Sequence, residues 1–229
     1  MKQVLFKDLG RMSYKTAWDF QEQKLADKTR LKREGKSEQI ASELFFVEHN
    51  PVFTLGKSGH EENVLLSEEQ LAKKGIEYFH INRGGDITFH GPGQIVGYPV
   101  FDLEQFKTDL GWYLRSLEEV IILTLADYGI IGERSKGETG VWIEPHRKGY
   151  ERKICAMGIR CSRWVTMHGF ALNVNTDLDY FNFIIPCGIQ GKQVTSLKKE
   201  LGYEVSMEEV KKKIKHNFCK VFEIELSQL

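Results

Sequence analysis

At 229 residues, with 41% hydrophobic and 28% charged side chains, the chain is long enough to bury a full core and fits one domain over residues 1–229 more comfortably than two. Its 32 basic and 32 acidic residues balance, which argues against disorder and against a nucleic-acid partner, since a phosphate backbone selects a basic surface. No apolar run approaches the roughly 20 residues of a bilayer-spanning helix, and the opening MKQVLFKD is too short and too charged for a secretory signal, so no membrane association and a cytoplasmic location are expected.

The first predicted element is a long amphipathic helix over residues 13–34. Tyr14, Ala17, Trp18 and Leu25 recur near helical spacing, the polar Gln21 interrupts the stripe, and Gly35 is placed to stop it. Residues 43–49 read as a strand. Pro51 and Gly56 then break the pattern, the capping-box sequence SEEQ at 67–70 opens a short helix ending at Gly75, and 76–81 returns to strand.

Beyond a glycine-rich stretch, 94–101 is strand-like, and 108–128 carries Leu110, Tyr113, Leu114, Leu117 and Ile121 along one face of a second long helix. Val141, Trp142 and Ile143, then 154–161, then 170–174 read as strands, while the rest of the charged segment 132–152 is unassigned. In the last of these strands Phe170, Leu172 and Val174 alternate with Ala171 and Asn173. A second capping box, SMEE at 206–209, leads a helix with Val210, Ile214 and Phe218 spaced by four, before a final strand at 222–226. Strand clusters separated by a few long helices predict an α+β fold: a mixed, mainly antiparallel sheet with helices packed on it, not a doubly wound βαβ series.

The stretch RGGDITFHGPGQ at 83–94 places four glycines, a proline, an arginine and a histidine between two strands. Glycines this dense allow close backbone approach to a ligand and positive φ. The spacing is neither a dinucleotide fingerprint nor a Walker loop, which disfavours a Rossmann or P-loop enzyme.

Four cysteines, Cys155, Cys161, Cys187 and Cys219, show no paired spacing, and no short-spaced His or Cys ligand pair points to a metal. Cys155 and Cys161 fall inside a strand pattern and Cys219 stands beside Phe218, which suits small buried hydrophobes. Cys187 is different. Pro186 and Gly188 flank it in a loop after the apolar run 183–185, and loops on rigid scaffolds are where reactive groups sit. A thiol acting as nucleophile needs a neighbouring cation or base, for which His90 and His168, both beside glycines, are the ordinary candidates.

The 83–94 stretch, with EHNPVFTLG (48–56), KICAMGIR (153–160), WVTMHGFALNVN (164–175), IPCGI (185–189) and VTSL (194–197), resembles in order the lipoyl(octanoyl) transferase family of lipoate biosynthesis. The resemblance implies a fold like the catalytic domain of biotin and lipoate protein ligases. It also implies transfer of an octanoyl group from octanoyl-acyl carrier protein to a specific lysine of lipoyl domains and of the glycine cleavage H protein, the first step of endogenous protein lipoylation. Cys187 would carry the acyl group as a thioester and Lys153 would activate it, with no cofactor and no ATP.

The acyl pocket implied by the same resemblance comprises Arg83, Gly84, Gly85, Asp86, Ile87, Thr88, Phe89 and His90; Ala156, Met157 and Gly158; and Gly169, Phe170 and Ala171. Small residues suit a narrow apolar tunnel. His168 either supports this site or is a satisfied core histidine. Two other readings stand beside this one: an ATP-dependent lipoate or biotin ligase, which would not rely on a cysteine nucleophile, and a non-catalytic carrier-domain binding protein, which would lack the nucleophile or its activator.

Overall fold

The computed structural model describes residues 2–185 and 193–229. Strand β1 (Lys2–Met12) runs directly into helix α1 (Tyr14–Arg33), whose start is set by Ser13: its hydroxyl accepts the Thr16 amide. Gly35, at φ +72°, follows the helix end, as its position in the sequence predicts. The chain returns as β2 (Ser42–His49), parallel to β1.

Among the described residues a mixed sheet of eight strands forms the centre of the fold. Its order is β10 (Gln193–Val194), β8 (Arg152–Ser162), β9 (Val165–Asn173), β6 (Gln94–Val100), β2, β1 and β11 (Ile224–Gln228), with β7 (Val141–Ile143) paired to β8. Pairs β2–β6, β6–β9, β8–β9 and β7–β8 are antiparallel, whereas β1 is parallel to both its neighbours and β10 is parallel to β8. Strand β1 escapes the sequence reading because only Val4 and Phe6 of its eleven residues are buried, too short an alternation to stand out among charges.

Helices cover both faces of this sheet. On one face α1 sets Ala17 and Leu25 against Phe45, Val47, Val96, Val100, Met167 and Ala171. On the other, α3 (Leu110–Ala126) and α5 (Met207–Phe222) bury Leu117, Ile121, Val210, Ile214 and Phe218 against Leu44, Phe46, Phe170 and Leu172. The alternation in β9 therefore separates two cores, not core from solvent, and all nine of its residues are buried. On α3, Leu110 lies outside the apolar face and is exposed.

Of a smaller sheet, β4 (Glu77–His80), β3 (Val52–Leu55) and β5 (Ile87–His90), the sequence shows only β4, as the strand at 76–81. Three apolar residues and a threonine between Pro51 and Gly56 look like a loop, and β5 hides within the glycine-rich stretch. Helix α2 (Glu68–Lys73), opened by a reciprocal Ser67 and Gln70 capping box, packs Leu71 onto this sheet with Phe53, Phe89 and Ile184.

The charged segment 132–152 is pinned by one buried carboxylate. Glu118 of α3 is fully enclosed and accepts from Arg115 (2.6 Å), Arg134 (3.1 Å) and the Gly140 amide (3.0 Å). Glu118→Ala leaves that buried amide unpaired and is expected to cost about 1–3 kcal/mol; urea unfolding with an unchanged m-value measures it.

Candidate functional site

A pocket of about 830 Å³, open mouth included, lies between strands β8, β9 and β6 of the large sheet, strand β5, and the glycine-rich turn, with Tyr14 of α1 among its walls. Strand pairing orders it. Gln94 stands opposite Asn173, Val96 opposite Ala171, Ala156 opposite Ala171 and Gly158 opposite Gly169. One end of the pocket thus carries Lys153, Gln94, Asn173 and Val194; the other carries Arg83, Gly158, His168 and Tyr98.

The glycine turn is held by Arg83. Its buried guanidinium donates to the carbonyls of Thr54 (2.8 Å), Asp86 (2.7 Å) and Gly84 (3.0 Å), folding the turn back on β3. Asp86 accepts the Ile87 amide and the Asn63 side chain. Gly85 sits at φ +92°, which a side chain would strain. The turn crosses β8 so closely that a Cβ on Gly158 would meet the Gly84 oxygen at 2.7 Å.

Of the residues singled out by the resemblance, Arg83, Gly85, Asp86, Ile87, Thr88 and His90 line the pocket, as do Ala156, Met157, Gly158, Gly169, Phe170 and Ala171. Gly84 and Phe89 are not among the lining residues: the Gly84 amide donates to Ile159, and the Phe89 ring stacks on Tyr180 at 4.5 Å within the small-sheet core. Lys153 and His168 also line it. Cys187 lies outside the described residues, with Pro186, Gly188 and Ile189; on either side of that segment, Phe181 and Val194 line the pocket.

Lys153 is framed from several directions. Its Nζ lies 4.6 Å from the Trp142 ring centre, and its carbonyl accepts the Thr195 amide at 3.0 Å. Next to it, Arg152 makes a two-pronged bond to Glu200 (2.7 and 2.8 Å) and a third to Glu144, while Thr195 donates its hydroxyl to the same Glu200.

From Thr195 a buried relay runs along the pocket floor. The Thr195 carbonyl accepts from Asn173, whose Oδ1 accepts from Gln94 (2.9 Å), whose Oε1 accepts from His90 Nδ1 (2.8 Å). Because the Gln94 amide nitrogen also serves the Phe89 carbonyl, His90 carries its proton on Nδ1 and a lone pair on Nε2. Gln94, Asn173, Tyr14 and Tyr98 were not singled out from the sequence. Gln94 and Asn173 fall inside the quoted motifs, but only the pairing of β6 with β9 brings them together.

Three histidines cluster here and all are held neutral. Burial pushes His49 down to about 4; burial, with His49 and Arg83 adding repulsion, pushes His90 to about 3; burial, with Arg83 and Arg160, does the same for His168. Neutral imidazole folded and protonated imidazole unfolded means that acid favours the unfolded chain. Each is expected to remove up to about 1.4 kcal/mol of stability per pH unit, starting as pH falls through the ordinary value near 6.5 and ending near each folded value. Denaturant midpoints from pH 7 to 4 measure the slope, and His49→Gln should flatten it.

Among the other cysteines, Cys155 is fully buried in the core and burial pushes its thiol up, which leaves it inert. Cys161 and Cys219 are half-buried. Among the described residues no group of three or more His, Cys, Asp or Glu could hold a metal ion, and no helix is long and apolar enough to cross a membrane.

Residues 13–219 match the model of the lipoyl protein ligase A/B catalytic domain. The chain belongs to that family. An octanoyltransferase of Flavobacterium psychrophilum is 58% identical over 97% of both chains, so this member of the lipoyl protein ligase A/B family is an acyltransferase. Among solved structures, the bipartite lipoate protein ligase of Thermoplasma acidophilum has a TM-score of 0.71 at 18% identity, covering 100% of this chain and 86% of that one. Lipoate-protein ligase A bound with ATP has a TM-score of 0.71 at 17% identity, covering 100% and 88%. These two share the fold: an open mixed sheet with helices on it, as the element pattern predicts.

Proposed function

We propose that the chain, as one catalytic domain, transfers an octanoyl group from the thioester of an acyl carrier protein to a lysine of lipoyl domains, the glycine cleavage H protein among them. The observation that carries this reading is the pocket itself: a lane of small residues, Ala156, Gly158, Gly169 and Ala171, with one ammonium, Lys153, at its end. An extended aliphatic chain needs such a lane, and thioester chemistry needs a cation at its mouth.

In the first half-reaction the Cys187 thiolate attacks the donor carbonyl and forms a new thioester; the C–S bond to the carrier breaks and the departing carrier thiolate takes a proton to become the thiol. In the second, the acceptor ε-amine attacks the acyl-enzyme, an amide forms, the amine loses a proton and Cys187 regains its thiol. Lys153 serves both steps by stabilising the thiolate and exchanging the proton. A thioester is already activated, so neither step needs ATP.

The 58% identity to an enzyme named for octanoyl transfer favours this reading over a ligase, since the ligases are related to this chain by fold at below 20% identity. Octanoyl-carrier thioester and a lipoyl domain, incubated with the enzyme and no nucleotide, should yield a lipoyl domain heavier by one octanoyl group. Absence of the modified lysine would end the transferase reading. Intact-mass measurement should also show an acyl adduct on the enzyme that disappears in Cys187→Ala; an adduct that persists there overturns the nucleophile assignment.

A further inference from the structure

His168 has an unusual combination of features for a residue within a central strand. It is 2% exposed, its Nε2 is buried with no hydrogen-bond partner among the described residues, and it lines the pocket. Its φ is +61°, a left-handed conformation that costs a non-glycine residue of order 1 kcal/mol or more.

What holds it there is Gln21, the polar residue that interrupts the apolar stripe of α1. Gln21 is fully buried and accepts the His168 backbone amide at 2.8 Å, while its amide nitrogen faces the Ala17 carbonyl. A buried glutamine on the apolar face of a helix is otherwise unfavourable. Here it maintains a strained imidazole at the pocket wall.

The strand register fixes which end. His168 pairs with Ile159, six residues along β8 from Lys153, or roughly 20 Å at about 3.3 Å per residue. Between them run the small residues of the lane. An extended chain advances roughly 1.2 Å per bond, so eight carbons reach on the order of 9 Å from the carbonyl and twelve about 13 Å. With the thioester and the lysine side chain occupying the first part of the path, the shorter chain stops before His168 and the longer one meets it.

Resting on the octanoyl-transfer reading, we propose that His168 is the specificity-determining residue that sets acyl chain length: its Nε2, without a partner among the described residues, marks the far end of the pocket, so a methyl that reaches it is rejected, and a chain that stops short or ends in a hydrogen-bonding group is accepted. A buried polar atom covered by hydrocarbon loses all chance of a partner, a penalty equivalent to roughly 5- to 150-fold in affinity. The imidazole is neutral, so the penalty is that of a dipole and not of a charge.

The test compares dodecanoyl with octanoyl carrier thioester as a ratio of kcat/KM within each protein, which cancels any general loss from folding. His168→Leu removes the polar atom, and His168→Asn shortens the side chain while tolerating positive φ. Both are expected to raise the dodecanoyl-to-octanoyl ratio about tenfold, and 8-hydroxyoctanoyl should lose ground to octanoyl in His168→Leu only.

If a variant is inactive, the same ratio is read from Kd values for non-transferable acyl thioether analogues, which need only a folded pocket. Unchanged ratios in both variants overturn the proposal. Failure of the wild-type enzyme to transfer octanoyl at all is a separate outcome, because it removes the functional reading and leaves the thioether binding ratios to judge His168 alone.

Discussion

Lys153→Ala is expected to lower acyl transfer by about 10²- to 10⁴-fold, the range associated with losing a positioned proton-transfer group. The fold should survive. The side chain is half-buried, and the part of Lys153 that holds neighbouring chain together is its carbonyl, which accepts Thr195 and is kept in the variant. What disappears is the ammonium near the Trp142 ring at one end of the pocket. Without it the Cys187 thiol should titrate at higher pH, because an adjacent cation favours the thiolate. Alkylation rate against pH, measured for enzyme and variant, checks this: an unchanged titration separates the two residues and refutes their pairing, even if turnover falls.

The second large effect is on stability. Phe218 of α5 is fully buried, stacks on Phe222 at 5.4 Å and lies 6.0 Å from Phe170, the residue of β9 that lines the pocket from the opposite face of the sheet. Phe218→Ala is expected to cost about 3–5 kcal/mol, the transfer term plus the cavity left behind. In a chain of this length that lowers Tm by roughly 10 °C. Calorimetry measures it. The loss should extend to function, because Phe170 also seals Gly97, where its ring would collide with any Cβ at 2.1 Å. Loosening Phe170 frees β9 against β6, and with it the register that sets Gln94 opposite Asn173. A variant that unfolds at the wild-type temperature would show that this aromatic layer is dispensable.

The two effects separate the machinery of the site from its support. Lys153 acts at the pocket, and its neighbours Arg152, Glu200 and Thr195 keep its strand in place through charge-assisted bonds. Phe218 acts from the far side of a sheet that is covered on both faces. An open sheet of this kind transmits packing on one face into pocket shape on the other, because each strand's alternate residues belong to different cores.

Local signals in the sequence determined the elements whose cause is itself local. Ser13, Ser67 and Ser206 cap helices, Gly35 follows the end of one, and Val210, Ile214 and Phe218 bury along one face. The ordered motifs determined the family, and the mixed α+β architecture followed from strand clusters between long helices. Tertiary structure alone decided the rest. Strand β1 is visible only through its partners β2 and β11, and β3 and β5 only as members of a second sheet.

The relay from His90 through Gln94 and Asn173 to Thr195 joins residues up to 105 positions apart, and it exists because antiparallel register puts residue 94 opposite 173. Gln21 makes the point most directly. In the sequence it is a polar interruption of an apolar stripe; in the fold it is the acceptor that holds His168 in a left-handed turn of the backbone, 147 residues away. Periodicity reports which way a side chain faces, but what it meets there is settled by chain pairing, and no local pattern carries that information.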